Sequence, residues 1–252
     1  MGRVALIDGD VIVYKAAWAA ETGIEWGDGV HTLHVDPATL ADIAETVLAQ
    51  IESALKPTKT IITLSDSKVF RHDFFPEYKA NRKLARKPIA YKAARAYMEA
   101  QPNVICRTAL EADDVMGILA TGDTVHARDT DERIICSVDK DMKQIPGLHY
   151  DWTKDTEVRT VSALEADAFF YAQCLAGDST DGIPGIKGVG MVKATKMLMG
   201  SAKDTAWEVI VDAYAKHGHD ETYALTMARL VRILRAEDYN FETKEIRLWT
   251  PA

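Results

Sequence analysis

Residues 3–10 read R-V-A-L-I-D-G-D, and the reading of this octet decides the fold. Val4 to Ile7 form a short apolar run that ends at an aspartate, which is how a buried parallel strand reads. The same construction recurs twice. Residues 59–64 (K-T-I-I-T-L) run into Ser65-Asp66, and residues 133–138 (R-I-I-C-S-V) run into Asp139. Helical spacing lies between and beyond them. Leu40, Ile43, Val47, Leu48 and Ile51 share a face over 38–55 before Pro57, a helix follows Pro88 to about Glu99, and another spans Glu111 to Ala120. A weaker strand is expected at 103–107. Strands alternating with helices predict an α/β fold, a mostly parallel central sheet flanked by helices.

Further along, Ser162 opens a helix to Ala176, with Glu165 three residues on to close a capping box. A glycine-rich stretch at 182–190 leads into a helix through Ala194 and Leu198. The C-terminal third reads as helical, with a last strand expected at Glu245–Trp249. The expected organisation is an α/β domain over 1–160, carrying a basic arch-like segment at 68–95, and a helical region over 161–252 packed on it as one compact unit.

Composition narrows the function classes. With 47% hydrophobic and 27% charged residues, the 252-residue chain can bury a real core. No apolar run approaches the roughly 20 residues that span a bilayer. Asp8 and Asp10 interrupt the first apolar run too early for a signal peptide, so no membrane partner and a cytoplasmic location are expected. Cys106, Cys136 and Cys174 are odd in number and far apart, which argues against zinc and against a disulfide framework. The net charge of −8 is segregated. Between Lys68 and Arg95, nine Lys/Arg stand against Asp73 and Glu77, a local +7 that leaves −15 on the rest. A charge run is ordinarily a solvated helix face, but a basic track beside an acidic pocket fits the same pattern.

The acidic pocket has nine candidate members. Asp8, Asp66 and Asp139 follow apolar strands, whose carboxyl ends share one edge of a parallel sheet. Glu111, Asp113 and Asp114 open a helix, Asp141 follows Asp139, and Asp178 and Asp181 precede the glycine stretch. Acids in a first helical turn favour the macrodipole, and aspartates are ordinary in turns, so no cluster alone demands chemistry. Converging carboxylates repel unless neutralised, however, and oxygen donors without His or Cys suit hard cations, Mg²⁺ or Mn²⁺.

Tyr78-Lys79-Ala80-Asn81-Arg82-Lys83, with Arg86 beyond it, combines an aromatic ring with closely spaced cations, a pairing suited to unpaired bases and phosphates. Gly182 to Gly190 alternates glycine with aliphatic residues. Gly185, Gly188 and Gly190 would let backbone N–H groups approach phosphates, with Lys187, Lys193 and Lys196 alongside. Met191-Val192 after Gly190 excludes a Walker loop.

In order, D-G-D, S-D, P-E-Y-K-A-N-R, E-A-D-D, D-K-D and G-D-S-T-D-G resemble the flap endonuclease/5′→3′ exonuclease superfamily over nearly the whole chain. The run M-A-R-L-V-R-I-L-R (227–235), then Y-N-F, K-E-I and L-W, is similar to the exonucleases of T-odd podoviruses. The resemblance implies a 5′→3′ exodeoxyribonuclease with flap endonuclease activity, cleaving DNA by a two-metal mechanism in phage DNA degradation, replication or primer removal. It assigns Asp8, Asp66, Glu111 and Asp113 to one ion and Asp139, Asp141, Asp178 and Asp181 to a second, with Asp114 between them. It makes Lys79 and Arg82 grip the scissile phosphate, and Tyr78 stack near the 5′ end. It also implies a helix–hairpin–helix (helix-three-turn-helix) DNA-binding lobe at about 175–200 that holds K⁺. The expected substrates are duplexes with 5′ ends, nicks or flaps, and RNA–DNA hybrids, in the host cytoplasm if the chain is phage-encoded. Asp10 matches no superfamily ligand. Two rivals stand beside this reading. One is a haloacid-dehalogenase-type phosphatase built on Asp8-x-Asp10, and the other is a non-catalytic helix–hairpin–helix DNA-binding protein.

Overall fold

The computed structural model describes residues 2–122, 126–201 and 203–251. Strand β1 (Arg3–Asp8) leads into helix α1 (Gly9–Ala19), a hairpin of β2 (Glu21–Glu25) and β3 (His31–Val35), helix α2 (Pro37–Leu55) and strand β4 (Lys59–Leu64). A short α3 (Arg71–Phe74) and a 3-10 turn at Ala80–Leu84 precede α4 (Tyr91–Glu99), β5 (Val104–Cys106), α5 (Ala112–Gly122) and β6 (Glu132–Cys136). A second 3-10 turn, Lys140–Gln144, connects to β7 (Gly147–Tyr150) and β8 (Arg159–Val161). The rest is helical: α6 (Ala163–Ala176), α7 (Met191–Met197), α8 (Lys203–Ala215) and α9 (Glu221–Val231).

Six strands form one sheet in the order β5-β4-β1-β6-β7-β8, parallel except for β8. The octet's apolar run lies at its centre. Alternation divides that run between two cores, with Ala5 and Ile7 facing α1, α2 and α4 while Val4 and Leu6 face α5. The chain leaves β1 for β4 on one side and later returns to β6 on the other. Asp8 therefore ends the strand at the point where the strand order reverses, the place where such sheets open a crevice.

A third core joins α6 to α9, and it includes Val69 and Tyr78 from the basic segment. In return, Ile233, Leu234 and Tyr239 pack into the α5 side of the sheet. Packing thus crosses the expected boundary at 160 in both directions.

The strands at 3–8 and 59–64, the helices at 37–55 and 91–99, and the capping box of Ser162 and Glu165 match the sequence reading. The reading had no counterpart for α1, the β2–β3 hairpin, the short α3 or the β7–β8 pair. The expected strand at Glu245–Trp249 does not form; Ile246 makes a single bridge to Tyr239. Trp249 instead inserts its ring between Phe170 and Trp207, with centroids 5.2 Å from each, so side-chain burial takes the segment out of any ladder. Among the described residues no helix is long and apolar enough to cross a membrane.

Candidate metal centre and nucleic-acid cleft

The crevice at the carboxyl edge is a cleft of about 970 Å³, and all nine candidate carboxylates line it. Local structure delivers each one. Asp8 caps α1, accepting from Val11 N (3.2 Å), while Ser137 Oγ donates to its other oxygen (2.8 Å). Asp139 caps the second 3-10 turn through Asp141 N (2.8 Å). Asp66 accepts from the backbone N–H groups of Ala109 and Ser67, which hold its carboxyl below the usual range. Asp178 accepts from Thr180 N (2.7 Å).

The cluster divides into acids that have cationic partners and acids that lack them. Lys79 bonds Glu111 and lies 3.4 Å from Asp181, and Arg82 bonds Asp181. Burial pushes the Glu111 carboxyl up, but Lys79 and Arg71 outweigh it and hold the group at about 2. Asp8, Asp113, Asp139 and Asp141 carry no ion pair among the described residues. Burial, with Asp10 and Asp139 nearby, raises Asp8 to about 7. Asp113 is driven well above its ordinary value by burial and by Asp8. Asp141 is raised to about 7 by burial and by Asp139. Among the described residues no three acids or imidazoles already converge on one metal position. The donor set still fits a hard divalent cation, because oxygen ligands crowd here and Asp8, Asp113, Asp139 and Asp141 have no internal neutralisation among the described residues.

A pH dependence follows. Asp8 and Asp141 titrate at about 7 in the folded chain, against about 3.9 for an unfolded aspartate. The folded chain therefore holds protons that the unfolded chain releases, and stability is lost as pH rises from about 4 to about 7. A cation that binds the ionised forms restores it. Mg²⁺ should raise the melting temperature little at pH 5 and by roughly 2–4 °C or more at pH 8. Equal shifts at both pH values in a calorimetric scan would contradict this account.

A family model for the 5′–3′ exonuclease N-terminal, resolvase-like domain matches residues 3–170. The chain belongs to the 5′→3′ exonuclease family. The exonuclease is 30% identical to the exodeoxyribonuclease of Enterobacteria phage T3 over 98% of this chain and 93% of that one. It is 29% identical, with the same coverage, to the exonuclease of Escherichia phage T7. In fold it is similar to a T5 5′-exonuclease mutant, with a TM-score of 0.62 and 15% identity over 92% of this chain and 88% of that one. A T5 5′-exonuclease with zinc bound is also similar (TM-score 0.55, 16% identity, 92% of this chain and all of that one).

Several expected site residues of this exonuclease have other employment. Asp114 is fully buried, and both its oxygens accept from Arg71, at 2.7 and 2.9 Å. The ligand role expected for it gives way to a structural ion pair. Tyr78 does not offer a ring for stacking on a base. It is 3% exposed, its hydroxyl donates to Glu111 (2.7 Å) and Asp181 (3.2 Å), and its ring packs in the helical core. Gly185 is buried, and a Cβ there would come 2.4 Å from the backbone of Ala176 and Gly177, so packing by itself already requires glycine at this position. Arg86 is tied to Glu21 by two bonds, at 2.9 and 2.5 Å. Gly188 and Gly190 are exposed with open space beside them, and Lys187, Lys193 and Lys196 are exposed too. The Lys83 side chain lies outside the described residues.

The sequence reading did not assign Arg71, Asp10, Ser137 or the aromatic trio Tyr14, Trp18 and Tyr91 to the site. Arg71 is 3% exposed and also bonds Glu111; its signal was an arginine set directly after apolar Val69-Phe70. Asp10, which matches no superfamily ligand, accepts from Ser65 N (3.2 Å) and faces Arg95 (3.4 Å). Ser137 carried no signal. On the open side of the cleft, Tyr14, Trp18 and Tyr91 form an aromatic wall, with Arg86 over Trp18 (4.8 Å) and Lys87 over Tyr91 (4.5 Å). Tyr14 and Trp18 follow each other at i, i+4 on α1, which is visible only once that helix is known.

Proposed function

We propose that this exonuclease removes nucleotides from DNA 5′ ends with two divalent cations, Mg²⁺ or Mn²⁺. Asp8, Asp66, Glu111 and Asp113 would hold one, and Asp139, Asp141, Asp178 and Asp181 the other. The observation that carries the reading is the crowd of carboxylates at the carboxyl edge of the sheet, Asp8 buried and Asp113 and Asp141 half-buried, that have no ion-pair partner among the described residues. The zinc bound to the similar T5 5′-exonuclease supports divalent-metal dependence. A bound cation polarises phosphate and makes water nucleophilic near neutral pH. Lys79 and Arg82 are the cations at hand for the scissile phosphate, and Tyr78 aligns Glu111 and Asp181 through its hydroxyl. Tyr14, Trp18 and Tyr91, not Tyr78, would stack on an unpaired 5′ nucleotide.

The α6–hairpin–α7 segment is the helix–hairpin–helix candidate, and it would grip the duplex through backbone N–H groups and exposed lysines. The Gly188 carbonyl, which here takes Lys193 Nζ at 3.5 Å, is a candidate acceptor for K⁺. Replacing Lys193 or Lys196 with alanine should lower the salt slope of duplex binding by about one each, with the rate at saturating DNA retained. An unchanged slope would remove the hairpin from the binding surface.

The deciding assay uses duplexes labelled separately at each 5′ and 3′ end, nicked and flapped forms, an RNA–DNA hybrid and a chromogenic phosphomonoester. Each is run with Mg²⁺ and with EDTA. Metal-dependent loss of the 5′ label is expected. Full activity in EDTA, or progressive loss from the 3′ end, would overturn the reading, and hydrolysis of the monoester alone would favour the phosphatase.

A further inference from the structure

Asp141 is supported from behind by two buried glutamines. Gln173 on α6 donates from Nε2 to Asp141 Oδ1 (2.7 Å). Its Oε1 accepts from Gln144 Nε2 (2.5 Å), which also donates to the Val231 carbonyl (2.6 Å). Gln144 Oε1 accepts from the N–H of Ile233 (3.1 Å). Gln144 is 1% exposed and Gln173 3%. The C-terminal segment that anchors them continues to Leu234, whose N–H donates to Asp114 (3.1 Å).

Backbone chemistry sets the direction of this relay. A carbonyl only accepts and an N–H only donates, so Val231 and Ile233 leave Gln144 one orientation. Its remaining N–H requires the oxygen of Gln173, and the Gln173 amide must then turn its NH₂ to Asp141. Flipping either amide would set like against like where no water can compensate. The relay thus presents a fixed donor to one oxygen of Asp141 and leaves the other oxygen for a cation. The charge of Asp139 disfavours the ionised Asp141, and Asp178 lies within hydrogen-bonding reach of it, so the Gln173 donor is what holds the carboxylate in place once it ionises.

We infer that Gln173, aligned by Gln144 on the C-terminal segment, is the positioning residue that orients Asp141 for binding a divalent cation. The inference rests on the metal-centre reading above. Its test is Mn²⁺ uptake by the metal-depleted full chain, followed by titration calorimetry, with melting in EDTA as the folding control. Gln173→Met keeps length and bulk but removes the donor. Gln173→Glu keeps an acceptor for Gln144 and places an acid against Asp141. Each should weaken one of two Mn²⁺ ions by about 10–100-fold and spare the other, and Gln173→Met, which also leaves the buried Gln144 N–H unpaired, should lower melting by only a few degrees, so that the chain stays folded during titration. Adding Gln173→Met to Asp141→Asn should weaken Mn²⁺ no further than Asp141→Asn alone. Superimposable titrations of wild type and Gln173→Met would overturn the proposal, as would loss of both ions together with a fall in melting temperature, which marks a merely structural role. A wild-type chain that takes up no Mn²⁺ would instead overturn the metal-centre reading, and this proposal with it.

Discussion

Asp8→Asn should abolish cleavage while leaving the fold intact. The residue ends the central strand at the reversal of strand order, is 3% exposed and caps α1. Asparagine is as good an N-cap as aspartate, and its amide can still meet Ser137, so size and capping are conserved. What is lost is one negative charge among acids that lack ion-pair partners. If that charge holds a catalytic cation, several kcal/mol of transition-state stabilisation go with it, on the order of a 10³-fold fall in rate or more. The metal-free chain should melt no lower than wild type at pH 8, because the substitution relieves repulsion among Asp8, Asp10 and Asp139. Single-turnover cleavage and melting in EDTA read the two effects separately. A rate within tenfold of wild type would remove Asp8 from the metal centre, and a large fall in melting temperature would make its role structural.

Lys79→Ala should lower the rate at saturating DNA by roughly 10²–10³-fold, the usual loss on removing one donor to developing charge. Lys79 is held in the left-handed backbone region (φ 56°), and its N–H donates to the Asp181 carbonyl (2.8 Å). Its ammonium therefore stays over the cleft between Glu111 and Asp181. Burial disfavours the charged amine, yet the two carboxylates more than compensate and raise its pKa. It is thus a fixed cation at the site where phosphate negative charge would develop. Duplex affinity measured in Ca²⁺ should change by less than about threefold if, as proposed, the exposed lysines of the hairpin grip the duplex. If affinity falls and the saturating rate does not, Lys79 serves binding or neutralises Glu111, and the phosphate clamp must be sought in Arg82.

The parts of this exonuclease legible in its sequence are those set by short-range rules. The continuous apolar run from Val4 to Ile7, with similar runs within 59–64 and 133–138, announced a parallel sheet because a strand buried on both faces carries no polar alternation. Aspartates at strand ends announced a site because parallel strands share one carboxyl edge. Ser162 and Glu165 announced a helix start because the capping box closes within four residues. α1 stayed hidden because its capping aspartate is also a site residue, and two acids in D-G-D masked the buried Ile12, Val13, Ala16 and Ala17.

Tertiary structure alone decided which of several chemically equivalent residues does which task. Asp113 and Asp114 are neighbours in one motif. Helix phase turns Asp113 into the cleft and Asp114 onto Arg71 and the N–H of Leu234, 120 residues away. Tyr78 reads as an aromatic among cations, but packing against the helical core buries its ring, while Tyr14 and Trp18 keep theirs on the cleft. Gly185 and Gly188 look alike in the chain, yet one lies against the Gly177 backbone and the other faces open space. Apolar runs, capping and strand-end placement are local, so the sequence determined the architecture and the pool of candidate acids, cations and glycines. The assignment of roles within that pool depends on partners a hundred residues distant, whose approach is set by the packing of three cores and by where buried charge can be neutralised.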